Sequence, residues 1–138
     1  MSLPIPPPNV RFLANALSPI STHWYNFLAQ IGRVVPLATV TYSAGITINV
    51  QLGDSFVITA TNGTAFTINA PLNPQNGRVI TITIRNTSGG ALGVITWNAV
   101  FKMPAFTSPA TANSRSVTFH YNGTNWVQRY QSAADVPN

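Results

Sequence analysis

The sequence predicts an all-β domain, an antiparallel sandwich or jelly-roll-like fold of about eight short strands. An extended Pro-rich arm and one short helix precede it. Three observations predict this. From Val34 onward, apolar and polar residues alternate with period two, the signature of half-buried strands. Asn- and Gly-rich turn signals separate the alternating runs. Those turns are too closely spaced to leave room for the helices of a βαβ architecture. The chain divides into an arm, 1–20, a short helix and linker, 21–36, and a β-sandwich domain, 37–138.

The arm opens with Pro4, Pro6, Pro7 and Pro8, which favour an extended backbone without internal hydrogen bonds. Ile5, Val10, Phe12, Leu13 and Leu17 punctuate it with apolar anchors. Such anchors suit either docking on a neighbouring protein or folding back on the chain's own domain. Ser21 or Thr22 can cap the following helix and Gly32 can end it. Trp24, Phe27, Leu28 and Ile31 recur at helical spacing and form one packing face.

The strands follow in order. Val40 and Tyr42 begin the alternation, and Ile46, Ile48, Val50 and Leu52 share one face up to the Gly53-Asp54 turn. Phe56, Ile58 and Ala60 lead into Asn62-Gly63, and Ala65 to Ile68 returns. Asn-Gly between two β-rich runs predicts a hairpin, because both residues tolerate the positive φ of a type I′ turn. Pro71 to Gly77 is a loop. Val79 to Ile84 is the clearest strand, with Ile80, Ile82 and Ile84 on one face. Ser88-Gly89-Gly90 turns the chain toward short strands at Leu92 to Trp97 and Val100 to Met103. Pro104 and Pro109 limit the next stretch to a loop or an edge. Val117, Phe119 and Tyr121 share a face in the penultimate strand, and Trp126, Gln128 and Tyr130 share one in the last. Asn122 to Asn125 joins them. The triplet Asn-Gly-Thr occurs at Asn62 and again at Asn122, as turn chemistry rather than as a repeat.

Composition narrows the chemistry. The chain has two acidic side chains, Asp54 and Asp135, and no Cys. A nucleophilic triad needs a base and an orienting acid, and His23, His120 and Asp54 fall on three separate elements. Glycosidic hydrolysis commonly needs two carboxyls. Asp135 lies in a tail expected to fray, which leaves the folded body one. Zinc wants three or four His, Cys or carboxylate ligands, and calcium wants clustered oxygens. The expectation is a noncatalytic protein with no metal site and no cofactor.

The charged fraction of 7% lies far below the roughly 25% of an ordinary soluble domain. Other subunits can cover such a surface, so a homo-oligomer is expected. The formal charge of +5 comes from scattered single cations, Arg11, Arg33, Arg78, Arg85, Lys102, Arg115 and Arg129. Nucleic-acid binders cluster such charge, so an acidic protein neighbour is the better match. No apolar run approaches the roughly 20 residues that span a bilayer. Trp97, Tyr121, Trp126 and Tyr130 are suited to stacking on sugars, although aromatic residues on strands commonly serve as core or cross-strand pairs.

Three stretches carry a resemblance: GDSFVITATNGTAFTINAP (Gly53 to Pro71), NGRVITITIRNTSGGALGVITWNAVFK (Asn76 to Lys102) and FHYNGTNWVQ (Phe119 to Gln128). This run is similar to a β domain of tailed-bacteriophage virion proteins and covers a little over half of the chain. STHWYNFL (Ser21 to Leu28) resembles the short helix near the start of small phage structural proteins. The resemblance implies a capsid decoration (cement) or head-fibre protein, commonly a trimer, made in the host cytoplasm and resident on the virion. Shortness points to the head surface, with the tail as the other position. Its partner through the arm would be the major capsid protein or another virion protein. The alternative it implies is a receptor- or carbohydrate-binding tip or adaptor module of a tail fibre, recognising a host-surface glycan.

Overall fold

β-Branched residues at every second position build strands with one buried face, and ten strands form among the described residues. The structure, a computed structural model, describes residues 37–138. The expected arm, 1–20, and the expected helix and linker, 21–36, lie outside the described residues. The strands are β1 (Ala38–Val40), β2 (Gly45–Ile46), β3 (Ser55–Ala60), β4 (Phe66–Ile68) and β5 (Val79–Asn86). They continue with β6 (Ile95–Trp97), β7 (Phe101–Lys102), β8 (Asn113–Tyr121), β9 (Trp126–Gln131) and β10 (Val136–Pro137).

These strands form two sheets. The larger runs β1-β3-β5-β8-β9-β7, with β10 on β8, and the smaller runs β2-β4-β6. The chain passes from the larger sheet to the smaller one three times, β1 to β2, β3 to β4 and β5 to β6. Each passage lies parallel on the one before: Ala38 pairs with Phe56, Phe56 with Ile82, Ile46 with Ile68, and Ile68 with Trp97. The winding is solenoid-like. β8 and β9 then close it with antiparallel pairing on β5.

The all-β class is as the alternation predicts. The antiparallel arrangement is corrected: among the described residues it is confined to β5–β8, β8–β9 and β8–β10. The reason is local at Asn62-Gly63. Neither residue has a positive φ, so no type I′ turn forms and β3 does not fold back on β4. The Asn62 Oδ1 accepts instead from the Thr64 amide at 2.9 Å and from the Tyr42 hydroxyl at 2.9 Å. That makes a corner between sheets. The Asn122 triplet makes the same short-range bond, Thr124 N to Asn122 Oδ1 at 3.0 Å. There Gly123 does reach φ 96°, and the expected hairpin forms.

The core lies between the sheets. Ile46, Ile48, Ile80, Ile82, Ile84, Val117 and Phe119 are buried together, as the shared faces predicted, and Phe56, Ile58 and Ile68 are buried with them. Phe56, Ile82 and Val117 form one continuous rung across three strands. Burying each such side chain stabilises the fold by about 1.5–3 kcal/mol.

Two predicted faces are corrected. Leu52 was expected inside with Val50, but it is 61% exposed. Val50–Leu52 is a 3-10 turn, capped by the Asn49 side chain accepting from the Gln51 amide, so the period of two ends at Val50. Tyr130 was expected to share a face with Trp126 and Gln128. Phe119 pairs with Gln128 but Thr118 pairs with Tyr130, so Arg129 is an extra residue in β9. A bulge of this kind re-aims the side chains beyond it, and Tyr130 is 60% exposed.

Candidate functional site

The two carboxylates lie at rims of the larger sheet and each holds an arginine. Asp54, just before β3, pairs with Arg78, just before β5, at 2.6 Å. Arg78 also donates to the Gly53 carbonyl at 3.1 Å. Asp135 accepts from Arg115 of β8 and from the Ala110 amide at 3.0 Å. These hydrogen bonds, led by Arg115, hold the Asp135 carboxyl below its ordinary value. The expectation of a fraying tail at Asp135 is therefore corrected. β10 pairs Val136 with Ser114, and the Asn138 amide donates to the Ala112 carbonyl at 3.0 Å. His120 lies in β8 opposite Val79 and Val127, and both aspartates are engaged by arginines. His23 lies outside the described residues.

The structure does not assemble the four aromatic residues expected to form a sugar platform. Trp126 is 1% exposed, so its indole is closed to a sugar ring. Tyr121 packs on it at a ring separation of 4.9 Å. Trp97 is half-buried and packed edge-on against Phe101 at 5.3 Å and Phe106 at 5.5 Å. Tyr130 faces the other side of the sheet, turned there by the bulge. Of the two residue groups expected to bind or pack in the N-terminal part, Ile5, Val10, Phe12, Leu13 and Leu17 lie outside the described residues, as do Trp24, Phe27, Leu28 and Ile31.

The outer face of the larger sheet is the surface the fold organises most regularly. Strand alternation sends Thr81, Thr83 and Arg85 of β5 outward, opposite buried Ile80, Ile82 and Ile84. Thr81 meets Thr118 of β8, and their hydroxyls hydrogen-bond at 3.0 Å. Thr83 meets Ser116 and their hydroxyls bond at 2.8 Å. Val57 continues the Thr83 row on β3 and is only 8% exposed. Val79, Val127, Tyr130 and Val136 are exposed apolar groups of this face. A separate hollow of about 350 Å³ lies along β1 and β2, lined mainly by the backbone-rich stretch from Ala38 to Asn49.

One central residue has no local sequence signal. Asn86 at the end of β5 is fully buried. Its side-chain amide donates to the Gly90 and Pro109 carbonyls at 2.9 and 3.0 Å, and its Oδ1 accepts from the Ser88 amide at 3.0 Å. The Asn138 side chain donates to its carbonyl at 3.0 Å. It ties together a corner, the loop before β8 and the C-terminal tail.

Comparison of the chain with protein-family models, with curated proteins and with solved structures finds no match.

Proposed function

We propose that this chain is a noncatalytic assembly subunit of a bacteriophage virion, a capsid decoration or head-fibre protein. It oligomerises through its β domain, as a trimer by analogy with the virion proteins it resembles. It docks on the major capsid protein or another virion protein through Ile5, Val10, Phe12, Leu13 and Leu17, and resides on the head surface. One observation carries the reading: the most regular surface is a broad sheet face of hydroxyls bonded to one another. A reactive hydroxyl needs a base and an orienting acid beside it. Here Thr81, Thr83, Ser116 and Thr118 are engaged in cross-strand pairs, and both aspartates hold arginines at the rims. Such a face offers flat area and fixed polarity, which suit contact with another macromolecule. The tail-fibre reading relied on the sugar platform, and buried Trp126 removes the centre of that platform.

The test uses the full chain and a variant lacking residues 2–17. Both should fold with the same β-sheet spectrum and sediment as oligomers at micromolar concentration. Only the full chain should bind phage heads stripped of this protein. A stable monomer, or undiminished head binding by the truncated chain, overturns the reading.

A further inference from the structure

We propose that the outer face of the larger sheet docks an acidic protein surface, with Arg85, Lys102 and Arg129 as its charged contacts. The inference goes beyond the arm-mediated docking above and uses a different surface.

Charge is sorted by strand alternation. The chain has two carboxylate side chains, and both are held at the rims by Arg78 and Arg115. Their positions alternate with Ser55 and Val136, which belong to the outer rows facing Thr81 and Ser114. The outer face therefore carries no carboxylate. It does carry cations. Arg85 is exposed in the outward row of β5. Lys102 follows buried Phe101 and pairs with Val127 of the outer row. Arg129 is the extra residue of the β9 bulge and is exposed beside Tyr130. None of the three makes an ion pair among the described residues.

Spacing selects the occupant. Arg85 and Lys102 lie on β5 and β7, three ladders apart in the order β5-β8-β9-β7, or about 14 Å at the usual strand separation. Along the strands Arg85 is level with Ser114, and Lys102 with His120 through Val127, which adds about 20 Å at the usual rise. The cations thus sit at the margins of a hydroxyl field, with Tyr130, Val79 and Val127 among them. A polyphosphate backbone presents charge every few ångströms and calls for clustered cations. Dispersed cations around an aromatic and apolar centre match a protein interface, in which Tyr and Arg are enriched. A second copy placed face to face would set these cations against their own kind with no carboxylate to answer them, a like-charge juxtaposition that suppresses association. The face spans roughly 20 by 20 Å, which is below the usual area of a stable interface. Binding through it is therefore of modest affinity, strongly salt-dependent, and effective when many copies engage at once.

The experiment uses the full chain, with poly-L-glutamate as the acidic probe and oligo-deoxythymidine as the comparison, followed by calorimetry and amide chemical-shift mapping. Polyglutamate should shift amides of β5, β8 and β9. The triple variant Arg85→Gln, Lys102→Gln, Arg129→Gln should weaken its binding by about tenfold or more, since each is a steering charge on the rim. Tyr130→Ala should weaken binding without altering its salt dependence. The pair Arg11→Gln, Arg33→Gln removes two charges that the proposal does not use and should leave binding within about twofold. Thermal melts of the variants should stay close to the parent chain, since the one hydrogen bond lost, from Lys102 Nζ to the Ala99 carbonyl, is exposed. Unchanged binding by the triple variant, loss confined to the Arg11 and Arg33 pair, or tighter binding of the oligonucleotide at equal salt would each overturn the proposal. The chain lacking residues 2–17 should bind polyglutamate as the full chain does, so failure here and failure of head docking are read separately.

Discussion

Replacing Gly93 with alanine should force apart two stacked corners of the winding. Gly93 lies in the passage from β5 to β6, and an added Cβ would sit 2.5 Å from the Ala65 nitrogen, 2.7 Å from the Gly63 carbonyl oxygen and 2.8 Å from the Ala65 Cα. All three are backbone atoms of the passage from β3 to β4, so no side chain can rotate away. Ordinary contact begins near 3.4 Å, so one corner must move by about 0.9 Å, the difference between ordinary contact and the closest approach. The Phe66 amide donates to the Val94 carbonyl at 3.1 Å, one residue from the clash. A shift of that size takes this bond out of range. Overpacking costs about 1–3 kcal/mol and the lost bond about 0.5–1.5 kcal/mol. The restriction alanine imposes on the unfolded chain offsets about 0.4–1 kcal/mol. The expected net loss is about 0.5–4 kcal/mol, read as a lower urea midpoint at constant m-value.

Two further glycines calibrate the result. Gly90 in the same passage has nothing within 4 Å of an added Cβ and no left-handed φ, so Gly90→Ala should lie within about 0.5 kcal/mol of the parent chain. Gly63 lies between the extremes, with the Ala91 carbonyl oxygen at 3.0 Å. The order of cost should be Gly93, then Gly63, then Gly90. Equal midpoints for Gly93→Ala and Gly90→Ala would show that the corners do not stack, and the parallel winding would fall with them.

Two other outcomes follow from buried polar contacts. Asn86→Ala should cost about 1–3 kcal/mol in urea unfolding, because it leaves the buried Pro109 carbonyl without its donor; a loss near zero would refute the role of Asn86 as a hub. Asp135 carries the pH dependence. Its carboxyl is held below the ordinary 3.8 by Arg115 and the Ala110 amide, so the unfolded chain takes up the proton first as pH falls. The stabilisation is present in full above that ordinary value and disappears as pH drops through the lower folded value. Protection of the Asn138 amide against hydrogen exchange, relative to its intrinsic rate at each pH, should fall over that window, and Asp135→Asn should remove the dependence; protection unchanged across acid pH would refute it.

Which side of each strand faces inward was legible in the sequence. Alternation alone identified Ile80, Ile82 and Ile84, and likewise Val117 and Phe119, because the pleat has a fixed period of two. What a strand pairs with was not legible, since alternation names a face and not a neighbour. Asn62-Gly63 had the composition of a hairpin. Its fate depended on Tyr42, twenty residues upstream, donating to Asn62, and on the stacking of Gly93 against Ala65. The bulge at Arg129 inverted Tyr130 without any Gly or Pro to announce it. Of the candidate surface, Thr81, Thr83 and Arg85 were readable as one row. The arrival of Lys102 on that face required β7 to pair with β9, a contact between segments that share no local signal.

The scarcity of carboxylates acquires a positive meaning once their positions are known. Asp54 and Asp135 neutralise Arg78 and Arg115 at the sheet rims. The formal charge of +5 then resides on Arg11, Arg33, Arg85, Lys102 and Arg129. Of these, the three described cations share the outer face of the larger sheet. A monomer tuned only for solubility gains from acidic residues interspersed among its cations, whereas the outward positions Thr39, Thr59, Thr81 and Ser116 carry hydroxyls. With hydroxyls there the face carries charge of one sign, and on the proposal above it draws its compensating carboxylates from another protein rather than from a second copy. On that proposal a homo-oligomer would use other surfaces of the domain and present several copies of this face outward together. That geometry turns a modest contact into a cooperative one, which is what a subunit that coats a repeating acidic surface requires.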